Sequence, residues 1–150
     1  MRGVSTIPEG NRRYNNAKRE ETMKSVSVLL VGLGRVGSRF YDKLQGLGKE
    51  RVRIVGICER DAMNPYVTKA KKDGVPFYAD YREATRSLGN TIDIILDTTN
   101  VPAVKQDLRA LLQETANHHT VLLPLVVSYL IWYLSEETEE MVQNHLDPGY

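Results

Sequence analysis

The turn Gly32-Leu33-Gly34-Arg35-Val36-Gly37 constrains this chain more than any other segment. It follows Val26 to Val31, a continuous β-branched and apolar run of the kind found in a strand buried on both faces. It precedes apolar residues at helical spacing, Val36, Phe40, Leu44 and Leu47, with Gly46 and Gly48 marking the end of that helix. Strand, three-glycine turn and amphipathic helix in this order are what the phosphate-binding loop of a dinucleotide-binding β-α-β unit requires. Position gives each glycine a task. Gly32 permits the tight turn out of the strand, Gly34 lets a pyrophosphate approach the backbone, and Gly37 lets the helix pack closely on the sheet. The helix start supplies unpaired N–H groups and the positive end of its dipole.

The unit closes at about Asp61 with a second strand, Val52 to Cys58. Glu59 follows it, about 20 residues beyond Gly37, the spacing of an acid that accepts from the adenosine ribose hydroxyls. A carboxylate there repels a 2′-phosphate and favours NAD. Arg60, beside it, is the residue type that holds a 2′-phosphate, which leaves NADP as the second choice. Asp61 is the alternative acid if the register slips by two.

The alternation continues down the chain. Helices are expected at Pro65 to Lys72, at Tyr81 to Leu88 with Asp80 as its cap and Gly89 as its stop, and at Pro102 to Glu114 with Val104, Leu108, Leu111 and Leu112 on one face. Strands are expected at Pro76 to Tyr78, Ile92 to Leu96 and His119 to Leu123, and a last helix from about Leu125 to His145. The pattern predicts an α/β fold: one doubly wound domain with a parallel sheet of five or six strands in the order 3-2-1-4-5. Thr98, Thr99 and Asn100 follow the fourth strand at the sheet's carboxyl edge. They are either cofactor contacts or the cap of the next helix.

Composition excludes more than it selects. The chain has 150 residues and a formal charge of +1, which gives no electrostatic case for nucleic acid or a membrane surface. Its single cysteine, Cys58, forbids an internal disulfide and a cysteine-based zinc site. Cys58 reads as a small buried hydrophobe, with a redox-sensing thiol as the alternative. His118 and His119 are neighbours that would face opposite sides of a strand, so no metal site is expected there. Residues 1–24 are polar and of mixed charge and are expected to form a flexible tail before the domain at 25–150. Met23 is either the true start, with the upstream residues an extension, or a residue within a disordered or partner-meeting arm. The absence of an apolar leader and of a span long enough for a bilayer predicts a cytoplasmic protein.

The last helix departs from the usual pattern. Leu125 to Leu134 contains only one polar residue, Ser128, and a helix apolar on every side must be covered on every side. A single sheet face cannot do that, so residues 125–134 are expected to form an interface, in a homodimer or with a partner subunit. Glu136, Glu137, Glu139 and Glu140 read as a solvated face.

Val-Leu-Leu-Val-Gly-Leu-Gly-Arg-Val-Gly, Ile-Val-Gly-Ile-Cys-Glu-Arg-Asp, Phe-Tyr-Ala-Asp-Tyr-Arg-Glu and Asp-Ile-Ile-Leu-Asp-Thr-Thr-Asn occur in that order. The series resembles the N-terminal domain of the glucose-fructose oxidoreductase/inositol dehydrogenase superfamily and is similar to the NAD-binding domain of homoserine dehydrogenases, over roughly residues 25–123. The resemblance implies that Gly32 to Gly37 hold the pyrophosphate, Glu59 the adenosine ribose, and Thr98 to Asn100 the nicotinamide end. Two departures limit what it implies about catalysis. The oxidoreductase superfamily carries a Glu-Lys-Pro motif after its fifth strand, and homoserine dehydrogenases an Asn-Lys pair in this region. Here Thr120-Val121-Leu122-Leu123-Pro124-Leu125 contains no lysine. Both groups also bind substrate with a second domain. The expectation is therefore an NAD(H)-binding domain of an oxidoreductase or of an oxidoreductase assembly, with no residue assigned to catalysis. The alternative is a non-enzymatic NAD(H) sensor acting through a dimer or partner, since the glycine string also resembles nucleotide-sensing domains of potassium-channel regulators. A methyltransferase fits less well, because such enzymes rarely keep all three glycines.

Overall fold

A computed structural model describes residues 25–135. The expected tail at 1–24, the continuation of the last helix to His145 and the acids from Glu136 onward lie outside the described residues.

Five strands form one parallel sheet: β1 (Val26–Val31), β2 (Val52–Cys58), β3 (Phe77–Tyr78), β4 (Ile94–Asp97) and β5 (Val121–Leu122), in the order β3-β2-β1-β4-β5. Among the described residues five helices connect or follow them: α1 (Arg35–Gly46), α2 (Pro65–Lys72), α3 (Tyr81–Leu88), α4 (Pro102–Glu114) and α5 (Leu125–Leu134). This is the doubly wound Rossmann-type arrangement that the alternation predicts.

The two-residue period of β1 divides the core. Val28 and Leu30 point to the side covered by α1, α2 and α5, where they meet Phe40, Tyr41, Val67 and Trp132. Leu29 and Val31 point to the other side, with Ala84 of α3 and Val104 and Leu108 of α4. Leu29 and Leu30 are fully buried, as a central strand covered on both faces must be. Tyr41 on α1 donates its hydroxyl to Asp73 beyond α2 at 2.6 Å, and Lys69 of α2 pairs with Asp42 of α1, so the helices before and after β2 are tied together.

Helix bounds follow the local signals. Asn64 caps α2 by accepting from the Tyr66 N–H, and Pro65 occupies the first turn. Asp80 caps α3 by accepting from the Arg82 N–H, and Gly89 ends it at φ +51°.

The strand ends differ from expectation because side chains and turns capture their backbone. Ile92 is buried, but its N–H bonds to the Gly89 carbonyl of a 3-10 turn (Gly89–Thr91), so β4 begins at Ile94 and runs on to Asp97. The Asn117 carboxamide oxygen accepts from the N–H groups of His119 and Thr120, each at 3.0 Å, which holds both out of β5. β3 excludes Pro76, which has no N–H to give the ladder.

On α5 the single strongly polar residue, Ser128, is buried with Trp132, while Val126, Leu130, Tyr133 and Leu134 are exposed. Among the described residues no helix is long and apolar enough to cross a membrane.

Candidate functional site

The site is built on the carboxyl ends of β1, β2 and β4, which the register places side by side: Val31 pairs with Cys58 on one side and Asp97 on the other. Each strand delivers its next residues to one edge, so Gly32, Glu59 and Thr98 become neighbours although they are far apart in sequence.

The glycine turn is closed on one side and open on the other. Gly32 adopts φ +94°, a conformation that side-chain-bearing residues rarely adopt, and its N–H donates to the Cys58 carbonyl at 2.8 Å. A methyl group at Gly37 would lie 2.0 Å from the Gly32 carbonyl oxygen and 2.7 Å from the Thr98 hydroxyl oxygen. No such atom fits, so α1 can start this close to the strand only with glycine there. Gly34 is the opposite case: it is the exposed N-cap of α1 at φ −74°, and a methyl group on it would meet nothing within 4 Å. The first N–H groups of α1 have no carbonyl partner within the helix, and Gly34 offers no side chain to cap them. Open space therefore lies over a helix N-terminus, with the backbone of Arg35 and Val36 forming its first turn.

Glu59 is buried beside this turn. One carboxylate oxygen accepts from the Leu33 N–H at 2.9 Å and the other from the Asp61 N–H at 2.8 Å. The acid thus ties the glycine turn to the end of β2, and each oxygen keeps a second lone pair for another donor. Asn64 completes the brace by donating its amide to the Leu33 carbonyl at 2.9 Å. The sequence signal for Asn64 was only that of a cap before a proline. Arg60 stands exposed next to Glu59, and Asp61 accepts from the Met63 N–H with its own side chain.

Thr98, Thr99 and Asn100 are brought to the same edge, but in different ways. The Thr98 hydroxyl faces back into the turn and donates between the carbonyls of Val31 and Gly32, at 2.9 and 3.0 Å. Thr99 donates both its N–H and its hydroxyl to one oxygen of Asp97, at 2.9 and 2.6 Å. Asn100 is exposed at φ +56°. None of the three is the N-cap of α4; that residue is Val101, which makes no side-chain cap.

Asp97 carries no sequence motif of its own, yet it is a buried acid at the centre of this edge. Burial pushes its carboxyl above the usual carboxylate range, and the Thr99 bonds and the Lys105 ammonium pull it back only in part. Asp97 forms part of a cleft of about 210 Å³ with Asn100, Lys105, Arg109 and Leu125. Lys105 also donates to the Leu123 carbonyl at the end of β5, at 3.4 Å.

The other residues singled out in the sequence lie apart from this site or are inert. Cys58 is buried, and burial raises its thiol pKa and keeps it protonated. His118 and His119 are exposed in the loop before β5, where His119 pairs with Asp93 at 2.7 Å. Among the described residues no group of three or more His, Cys, Asp or Glu is placed to hold a metal ion.

Comparison with known families agrees with this geometry. Residues 32–122 match the model of the homoserine dehydrogenase NAD-binding domain, a span that runs from the first glycine of the turn to the end of β5. No curated protein matches the chain. The match covers more than half of the chain, which belongs to this NAD-binding domain family and is a nicotinamide-dinucleotide-binding Rossmann domain.

Proposed function

We propose that this chain is the cofactor-binding part of an NAD(H)-dependent oxidoreductase or oxidoreductase assembly, in which a further domain or subunit binds the substrate. The observation that carries this reading is the contrast within the glycine turn. The turn is packed shut at Gly32 and Gly37 and open at Gly34, directly over the start of α1. A turn needed only for packing has no use for glycine at the open position, where an added methyl group meets nothing within 4 Å. A pyrophosphate does need it, because its oxygens must reach the backbone.

In this reading the segment Gly32 to Gly37 holds the pyrophosphate, with Leu33, Arg35 and Val36 contributing backbone. Glu59 fixes the turn through Leu33 and offers its remaining lone pairs to the adenosine ribose hydroxyls. Its buried carboxylate favours NAD over NADP, since a 2′-phosphate there would meet like charge; Arg60 is the residue that would soften that preference. Thr98, Thr99 and Asn100 border the nicotinamide end, and the cleft containing Asp97 and Lys105 adjoins it. The bound nicotinamide supplies hydride-transfer chemistry, while the chain's own residues bind and orient it. Isothermal calorimetry with NAD, NADH, NADP and AMP tests the reading. Binding of NAD or NADH, tighter than NADP, is expected, and no heat from any of the four would overturn it.

A further inference from the structure

The exposed face of α5 is the largest feature that cofactor binding leaves unexplained. Val126 and Leu134 are each 73% exposed, Tyr133 57% and Leu130 56%. At 100° per residue these four fall on one face, opposite Ser128 and Trp132, which pack inward. Tyr133 is stacked on Tyr129 at 6.1 Å, so the face is ordered by its own side chains.

We propose that this face is a docking surface for a second copy of the same chain. Three observations favour that occupant. Leu125 to Leu134 contains no charged residue, so two copies can approach without like-charge repulsion. Val126, Leu130 and Leu134 recur every fourth residue, a stripe that is its own complement when two helices meet antiparallel about a twofold axis near Leu130. The four residues expose on the order of 500 Å² per copy, so a symmetric pair that covered all of it would bury about 1,000 Å², the size of a weak, concentration-dependent interface. The segments outside the described residues are poor covers, since 1–24 and 136–150 are dominated by charged and polar residues.

Sedimentation equilibrium on the full chain tests the proposal, from about 1 to 200 μM, which spans micromolar dissociation constants. The wild type is expected to rise from its monomer mass of 17.0 kDa towards twice that mass. Leu130→Asp, at an exposed position, is expected to remain monomeric with an unchanged circular dichroism spectrum. Leu130→Cys is expected to form a disulfide-linked pair on mild oxidation, because the native Cys58 is buried and cannot compete. A wild type that is monomeric throughout, or a dimer that survives Leu130→Asp, would overturn the proposal; the first result assigns the face to a different protein and the second assigns association to a different surface. Dinucleotide binding is measured on the same samples, so failure of the interface and failure of the cofactor reading are told apart.

Discussion

α1 and α5 lie against the same face of the sheet and meet there, with the rings of Phe40 and Trp132 5.3 Å apart. They are completed in opposite ways. α1 buries Gly37, Phe40 and Tyr41, turns Asp42 to solvent and leaves Arg35, Ser38, Arg39, Lys43 and Gln45 half-buried. α5 buries Ser128 and turns Val126, Leu130, Tyr133 and Leu134 outward. The first helix needs only water on its far side. The second is anchored by Trp132 but leaves apolar surface that water does not satisfy. One helix is therefore finished by solvent and the other leaves an apolar face uncovered, and substitutions at the two helices should divide along that line.

The largest effect is expected at the start of α1. Gly37→Ala forces a methyl group into the Gly32 carbonyl, which is backbone and cannot move aside, and should remove at least about 3 kcal/mol of stability in urea denaturation. A variant as stable as the wild type would mean that α1 does not start this close to β1. On α5, Leu130→Asp should leave stability within about 0.5 kcal/mol of the wild type while abolishing association, which is the same contrast read from the other helix.

Next in size is Glu59→Ala. It leaves the Leu33 and Asp61 N–H groups without their acceptor and should cost about 1–3 kcal/mol. Weaker NAD binding by this variant is not by itself evidence of a ribose contact, because the glycine turn loses its brace as well. The informative quantity is the NAD-to-NADP affinity ratio. A direct ribose role predicts that the ratio falls, whereas a purely bracing role predicts that both affinities fall together.

The smallest effect is expected at Asp97. Its folded-state pKa is raised by burial, so the native protein holds this proton more tightly than the unfolded chain does. The cost of the buried charge is fully present above the folded pKa and is relieved as pH falls through it. Asp97→Asn keeps an oxygen for Thr99 and removes the charge. It should therefore change stability at pH 7 by no more than about 1 kcal/mol, towards greater stability, with the difference shrinking as the pH is lowered into the carboxylate range. A variant clearly less stable at pH 7 would show that the charge is held by partners strong enough to outweigh its burial.

Much of this was legible from sequence because local chemistry decides it. The apolar period set α1 and α4, Asp80 and Pro65 set the starts of α3 and α2, and continuous apolar runs set β1 and β2. The roles of Gly32 and Gly37 followed from position, because a backbone turn either tolerates a side chain or does not. What escaped was decided between distant segments. The ends of β4 and β5 depend on a 3-10 turn and on the Asn117 side chain, which an apolar run does not reveal. Glu59 was placed at the right edge, but its bond to Leu33 spans 26 positions, and Asp97 is just one more acid until the sheet buries it. The orientation of α5 also escaped, because a helix with one polar residue carries almost no signal about which side faces inward, and Trp132 settles it by filling the core beside Phe40.

Whether the open side of the glycine turn receives a dinucleotide is decided by calorimetry on Gly34→Leu. The position is exposed, has an ordinary φ and has nothing within 4 Å of an added methyl group, so the fold should be kept, with stability within about 0.5 kcal/mol of the wild type. NAD affinity is expected to fall by about 100-fold or more, a loss of roughly 2.7 kcal/mol in binding. A folded Gly34→Leu protein that binds NAD as tightly as the wild type would contradict it.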